Sequence, residues 1–84
     1  MADLNSLTKR ESQVMDLLAH GYSRNEIGKM LYLARGTMIS HTNKAYDKLG
    51  ALGLNQGAVR VVAILKFLRQ RGILPADFKI RGEL

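Results

Sequence analysis

The sequence predicts an all-α fold of four helices, the second and third joined by a tight turn, with a short C-terminal tail. Apolar residues recur at three- and four-residue intervals along the chain, with no sustained period-two alternation. The single proline, Pro75, comes late, so nothing upstream is barred from a helix interior. Helix start signals and glycine stops bracket the apolar stripes. With no internal repeat or low-complexity tract, residues 1–84 read as one domain.

An 84-residue chain with 46% hydrophobic residues has room for one small core. Such a chain buries only about 60% of its unfolded surface, so oligomerisation would help it. Cysteine is absent, which excludes a disulfide framework and thiolate metal ligation. No run approaches the ~18 apolar residues of a membrane span. The N-terminal MADLNSLTKR lacks the order of a secretion signal. A soluble, cytoplasmic protein is expected. Thirteen Lys and Arg against seven Asp and Glu give a net charge of +6. That balance favours polyanionic partners, nucleic acid first and anionic membrane second.

The first helix is expected over residues 9–20. Thr8 and Glu11 form a capping box, Leu7 is placed to staple onto the first turn, and Val14, Met15, Leu17 and Leu18 make the stripe. Gly21 ends it. A second capping box, Ser23 with Glu26, opens a helix over 24–32 with Ile27, Met30 and Leu31 buried. Gly28 in its interior costs about 1 kcal/mol against Ala and points to a close helix approach. Residues 33–36 are the turn. The third helix spans 36–49, with Met38, His41 or Thr42, Ala45 and Leu49 inward and Ile39, Ser40, Asn43, Lys44 and Asp47 outward. Gly50 stops it.

Asn55 caps a fourth helix over 56–71 that is apolar nearly all round. Ala58, Val61, Val62, Leu65 and Leu68 form a broad stripe assigned to the core. Val59, Ala63 and Phe67, four apart, form a second stripe assigned to a partner, as a homodimer interface. The tail, residues 72–84, keeps Ile73, Leu74, Phe78 and Ile80 and is expected to pack down.

Leu7-Thr8-Lys9-Arg10-Glu11, Val14, Leu17-Leu18-Ala19, Gly21, Ser23, Glu26-Ile27, Leu31, Thr37, His41 and Lys48-Leu49-Gly50 stand in the order and spacing of a known family. The chain resembles the LuxR-type (FixJ/NarL-like) helix-turn-helix domain over roughly residues 7–65. The resemblance implies four helices, the second and third forming the DNA-binding motif and the fourth often forming the dimer. The domain is usually half of a two-domain regulator, and stand-alone members of about this length exist. Arg10 is implied to bond toward helix two, and His41 to lie half-buried at the DNA edge. The chain departs from the pattern in several places. Met38 replaces Val, Ala34 replaces a Ser cap, Ile39 stands where Lys is frequent, and Asp47 where a base is common. The loop after Gly50 is about one residue longer, and Leu54-Asn55 replaces the usual Asn-Arg.

A recognition helix in the major groove reaches base edges with side chains of its N-terminal half. Here those are Ile39, Ser40 and Asn43. Asn43 suits bidentate bonding to adenine and is otherwise a solvated polar residue. Ile39 suits a thymine methyl group and is otherwise a protein contact; Ser40 suits a base or a phosphate. Phosphate contacts are expected from Ser23, Arg24 and Asn25 at the start of helix two, and from Arg35, Thr37, His41, Lys44 and Lys48. His20 and His41 lie on different helices, and no acidic pair, phosphate loop or metal cluster stands out. The chain is therefore not read as an enzyme, and no cofactor is expected.

The leading reading is a homodimeric regulator that binds specific double-stranded DNA sequences to control transcription. The alternative is an adaptor that keeps the scaffold and uses helix four and the tail to bind another regulator or RNA polymerase. Ile39 and Asp47 favour that alternative. The promoter-reading domain of a sigma factor shares the two-helix pattern, but no other sigma region accompanies it.

Overall fold

A computed structural model of the chain describes residues 6–81 and 83; residues 1–5, 82 and 84, which include the start of the chain and part of the tail, lie outside the described residues. The described chain forms four helices: α1 Lys9–Ala19, α2 Arg24–Met30, α3 Arg35–Lys48 and α4 Gln56–Gln70. Each agrees with its expected span to within two residues.

The start signals act as the residue types dictate. Thr8 and Ser23 each complete a capping box, with Glu11 and Glu26 returning a carboxylate to the cap's backbone N–H at 2.9 Å. The Asn55 side chain accepts from Ala58 N–H at 3.0 Å. Ala34 sits in cap geometry at the start of α3 but offers no oxygen, so that helix begins without a side-chain cap. Gly21 ends the α1 segment at φ +98°. Tyr32 performs the corresponding turn after α2 at φ 55°, a conformation that disfavours a bulky side chain, and it is 96% exposed.

The core is continuous across all four helices. Val14, Met15 and Leu18 meet Ile27, then Met38, Ala45, Tyr46 and Leu49, then Val62, Ala63 and Phe67, with Ile80 of the tail closing the cluster. α1 and α3 each pack against the three other helices. Buried Thr42 satisfies its hydroxyl on the Met38 carbonyl at 2.8 Å, so Thr42 takes the inward position and His41 the half-buried edge. Gly28 is buried, but a Cβ there would stand 3.4 Å from the Leu33 carbonyl and 3.9 Å from Met38 Cγ, ordinary contact distances, so no unusually close helix approach requires the glycine.

Three packing expectations are corrected. Met30 is 44% exposed, because the buried line of the short α2 runs through Ile27, Gly28 and Leu31, about 100° away from it. Arg10 bonds Gln13 on its own helix and does not reach α2. The two stripes of α4 are mixed: Ala58 and Val62 are buried as assigned, but Val61 is not, and Ala63 and Phe67 of the second stripe join the core. Ala63 and Phe67 are buried, Val59 is half-buried, and Val61 is 55% exposed, with Ile64, Leu65 and Leu68 half-buried on the outward side. A helix apolar on both faces has two rotations available. The one adopted buries Phe67, whose aromatic area outweighs that of Val61. Ala63 and Phe67 are therefore core residues, and the stripe assigned to a partner is not open to one.

The tail is held as expected at Ile80, which is fully buried, whereas Ile73 remains largely exposed. Arg69 ties the tail to α4, donating to the Phe78 carbonyl at 2.8 Å and to Glu83 at 2.6 Å.

Candidate nucleic-acid interface

α3 is built to have one face without structural duty. Met38, Thr42, Ala45 and Leu49 turn it inward at three- and four-residue steps, which leaves Gly36, Ser40, Asn43, Lys44 and Asp47 along the opposite line, all exposed. The two edges of that face differ. Arg35, Ile39 and Tyr46 lie on the edge toward the start of α2. Thr37, His41 and Lys48 lie on the other edge, toward the start of α1.

On the first edge, an open crevice is lined by Ser23, Arg24, Asn25, Arg35 and Ile39, together with Arg60 from α4. A second depression holds Asn43, Tyr46 and Leu54, and Arg24 and Arg60 line it as well. Among the described residues, no carboxylate lines either one. Tyr46 registers this setting: burial pushes its phenol up, while the charges of Arg24 and Arg60 pull against that rise. The structure thus brings together Ser23, Arg24, Asn25, Arg35 and Ile39, places Asn43 one turn along, and leaves Ser40 and Lys44 on the open centre of the face.

On the second edge, Thr37 is exposed and His41 half-buried. Lys48 departs from its expected use. Its Nζ donates to Glu11 Oε1 at 2.7 Å, and the lysine side chain is 25% exposed against 3% for Glu11. Burial pushes the Glu11 carboxyl up. The hydrogen bond from Lys48, that from Thr8 N–H and the lysine charge together hold it below the usual carboxylate range. One carboxylate therefore caps α1 and anchors the end of α3. Lys48 is thus paired with a buried carboxylate, unlike the other cations expected along this face. Its position four residues beyond Lys44, on a basic helix, hid this; only the contact across 37 residues with Glu11 reveals it.

Arg60 is the residue that sequence reasoning missed. A single cation in the run AVRVVAIL was the available signal. Its Nη2 donates to the Tyr22 carbonyl at 3.1 Å, carrying the α4 guanidinium to the start of α2.

Among the described residues, no helix is long and apolar enough to cross a membrane, and no cluster of side chains is suited to a metal ion. Residues 5–61 match the family described as bacterial regulatory proteins, luxR family. The chain belongs to this family. It is 36% identical over 56 residues to the spore germination protein GerE of Bacillus subtilis, a match covering 67% of the chain and 76% of GerE. It is 32% identical over 59 residues to the transcriptional regulatory protein DegU of Brevibacillus brevis, covering 70% of the chain and 25% of DegU. The HTH-type transcriptional regulator MalT of Serratia proteamaculans is 34% identical over 62 residues, covering 74% of the chain and 7% of MalT. The chain thus spans about a quarter or less of most of these relatives' own length. No solved structure gives a significant match. The family is one of regulatory proteins and not an enzyme class.

Proposed function

We propose that this domain binds double-stranded DNA in the cytoplasm and regulates transcription as a homodimer, with α3 in the major groove. The observation that carries this reading is the α3 face itself, which is exposed, polar and released from core packing, and bordered on one edge by Arg24, Arg35 and Arg60 with no carboxylate in the crevice. A helix of 14 residues, about 21 Å long, fits a groove roughly 12 Å wide end-on or obliquely. In that pose Ile39, Ser40 and Asn43 meet base edges, and Ser23, Arg24, Asn25, Arg35, Thr37, His41 and Lys44 meet the backbone. The luxR-family relatives named as transcriptional regulators support the same assignment.

The dimer is assigned to the outward side of α4, centred on exposed Val61 and flanked by Ile64, Leu65 and Leu68, which pack partly against the core and keep part of their surface outward. A two-fold pair would present two α3 helices to half-sites one helical turn apart, or a multiple of it. The adaptor reading draws on the same side of α4 and on exposed Asp47, whose charge opposes a phosphate backbone.

A mobility-shift and anisotropy series on duplex DNA tests the assignment. Asn43→Ala is expected to weaken binding to the selected sequence by about 1–3 kcal/mol and relax preference at one base pair. Lys44→Ala is expected to weaken all sequences alike and flatten the salt dependence. Absence of duplex binding at low salt, with capture of a regulator or polymerase subunit instead, would favour the adaptor.

A further inference from the structure

We propose that Arg60, on α4, is a further DNA-phosphate contact, paired with Arg24 along one flank of the recognition helix; this rests on the DNA-binding reading above. Arg24 and Arg60 come from different helices yet line the same two depressions, one holding Ile39 and the other Asn43. The pair therefore borders both side chains assigned to base edges on that flank. Arg60 is exposed and makes no ion pair among the described residues. Its bond to the Tyr22 carbonyl uses one N–H and fixes where the guanidinium lies. The remaining donors of the fork match the oxygens of a phosphodiester. Arg24 and Arg60 both act on the Tyr46 phenol, so two like charges are held near one side chain with no acid lining either depression. Such an arrangement is relieved by an anion placed between them.

A phosphate contact positions the protein without reading sequence, and this fixes the test. The full chain is titrated by fluorescence anisotropy onto a labelled duplex of random sequence, across a salt series. Arg60→Gln, which retains a donor for Tyr22 but no charge, is expected to make the slope of log affinity against log salt shallower by about 0.9. Affinity at the lowest salt falls several-fold, and the sequences selected from random DNA do not change. Arg60→Lys keeps the slope. Arg71→Ala removes the same charge at the far end of α4, where Arg71 lies over the Phe67 ring, and also leaves the slope as in the wild type. Circular dichroism confirms that each variant is folded. A wild-type slope in Arg60→Gln overturns the inference while leaving DNA binding intact. An equal loss in Arg71→Ala overturns it too, by showing that only net charge matters. If the wild-type chain itself does not bind duplex, the DNA-binding reading fails first and this inference with it.

Discussion

Replacing Lys48 with methionine keeps the length and apolar stem of the side chain and removes its charge. Glu11 is then left 3% exposed with Thr8 as its hydrogen-bonding partner among the described residues. Breaking a fully buried ion pair from one side costs about 3–5 kcal/mol. Lys48 is 25% exposed, so water already screens part of the attraction, and the expected loss is about 2 kcal/mol. In a domain of this size each kcal/mol moves the melting temperature by about 4–8 °C, so Lys48→Met melts about 8–16 °C lower at neutral pH. A cycle with Glu11→Gln isolates the pair, with an expected coupling of about 1–2 kcal/mol. The pH dependence follows from the direction of the Glu11 shift. Its folded carboxyl titrates below the ordinary value of 4.5, so its contribution is present above that value and is lost as pH falls through the folded pKa. The wild-type advantage over Lys48→Met therefore shrinks as pH is lowered below 4.5 and through the folded carboxyl's lowered pKa. Thermal and urea melts measure each quantity. A coupling below about 0.3 kcal/mol, or a penalty independent of pH, would refute the pair as an anchor of α3. The same variant, kept well below its melting temperature, retains the wild-type salt slope for DNA; a slope shallower by about 0.9 would return Lys48 to the phosphate contacts.

Further substitutions separate core from surface. Phe67→Ala leaves a cavity under α4 and is expected to cost about 3–5 kcal/mol, read as a lowered urea midpoint. Val61→Asp, on the outward side, is expected to leave the fold intact and shift sedimentation from dimer to monomer; an unchanged dimer mass would reject that side as the interface. Ala34→Ser supplies the missing oxygen at the start of α3, where the backbone already has cap geometry, and is expected to raise stability by about 0.5–1 kcal/mol in chemical denaturation. The Arg69 hydrogen bond holds the Glu83 carboxyl at about 2, against 4.5 unperturbed. The clasp on the tail therefore contributes fully above pH 4.5 and is lost as pH falls toward 2. Wild type and Glu83→Gln should accordingly converge in melting temperature over that window.

The helices were legible because their signals are local. Thr8 with Glu11, Ser23 with Glu26, and Gly21 and Gly50 specify starts and stops within a few residues, and the inward line of α3 follows from spacing alone. The rotation of α4 was not legible. Its residues are apolar on both sides, so periodicity offered two solutions, and long-range packing of Phe67 and the tail's Ile80 chose between them. At the candidate site, the exposed face with Ile39, Ser40 and Asn43 could be read from the sequence. The edges could not. Lys48 and Arg60 look alike as exposed basic residues, and only partners 37 and 38 positions away pair one with a buried carboxylate and carry the other to the crevice.

The region from Ser23 to Gly50 carries the function if α3 meets DNA, and one measurement tests this most directly. The full chain is titrated onto duplex DNA over a salt series, before and after selection of bound sequences from a random pool. The expected result is affinity that falls steeply with salt, and a selected sequence with two-fold symmetry whose preference weakens in Asn43→Ala. Binding that ignores salt, or a selected pool that stays random while Asn43→Ala changes nothing, would contradict it.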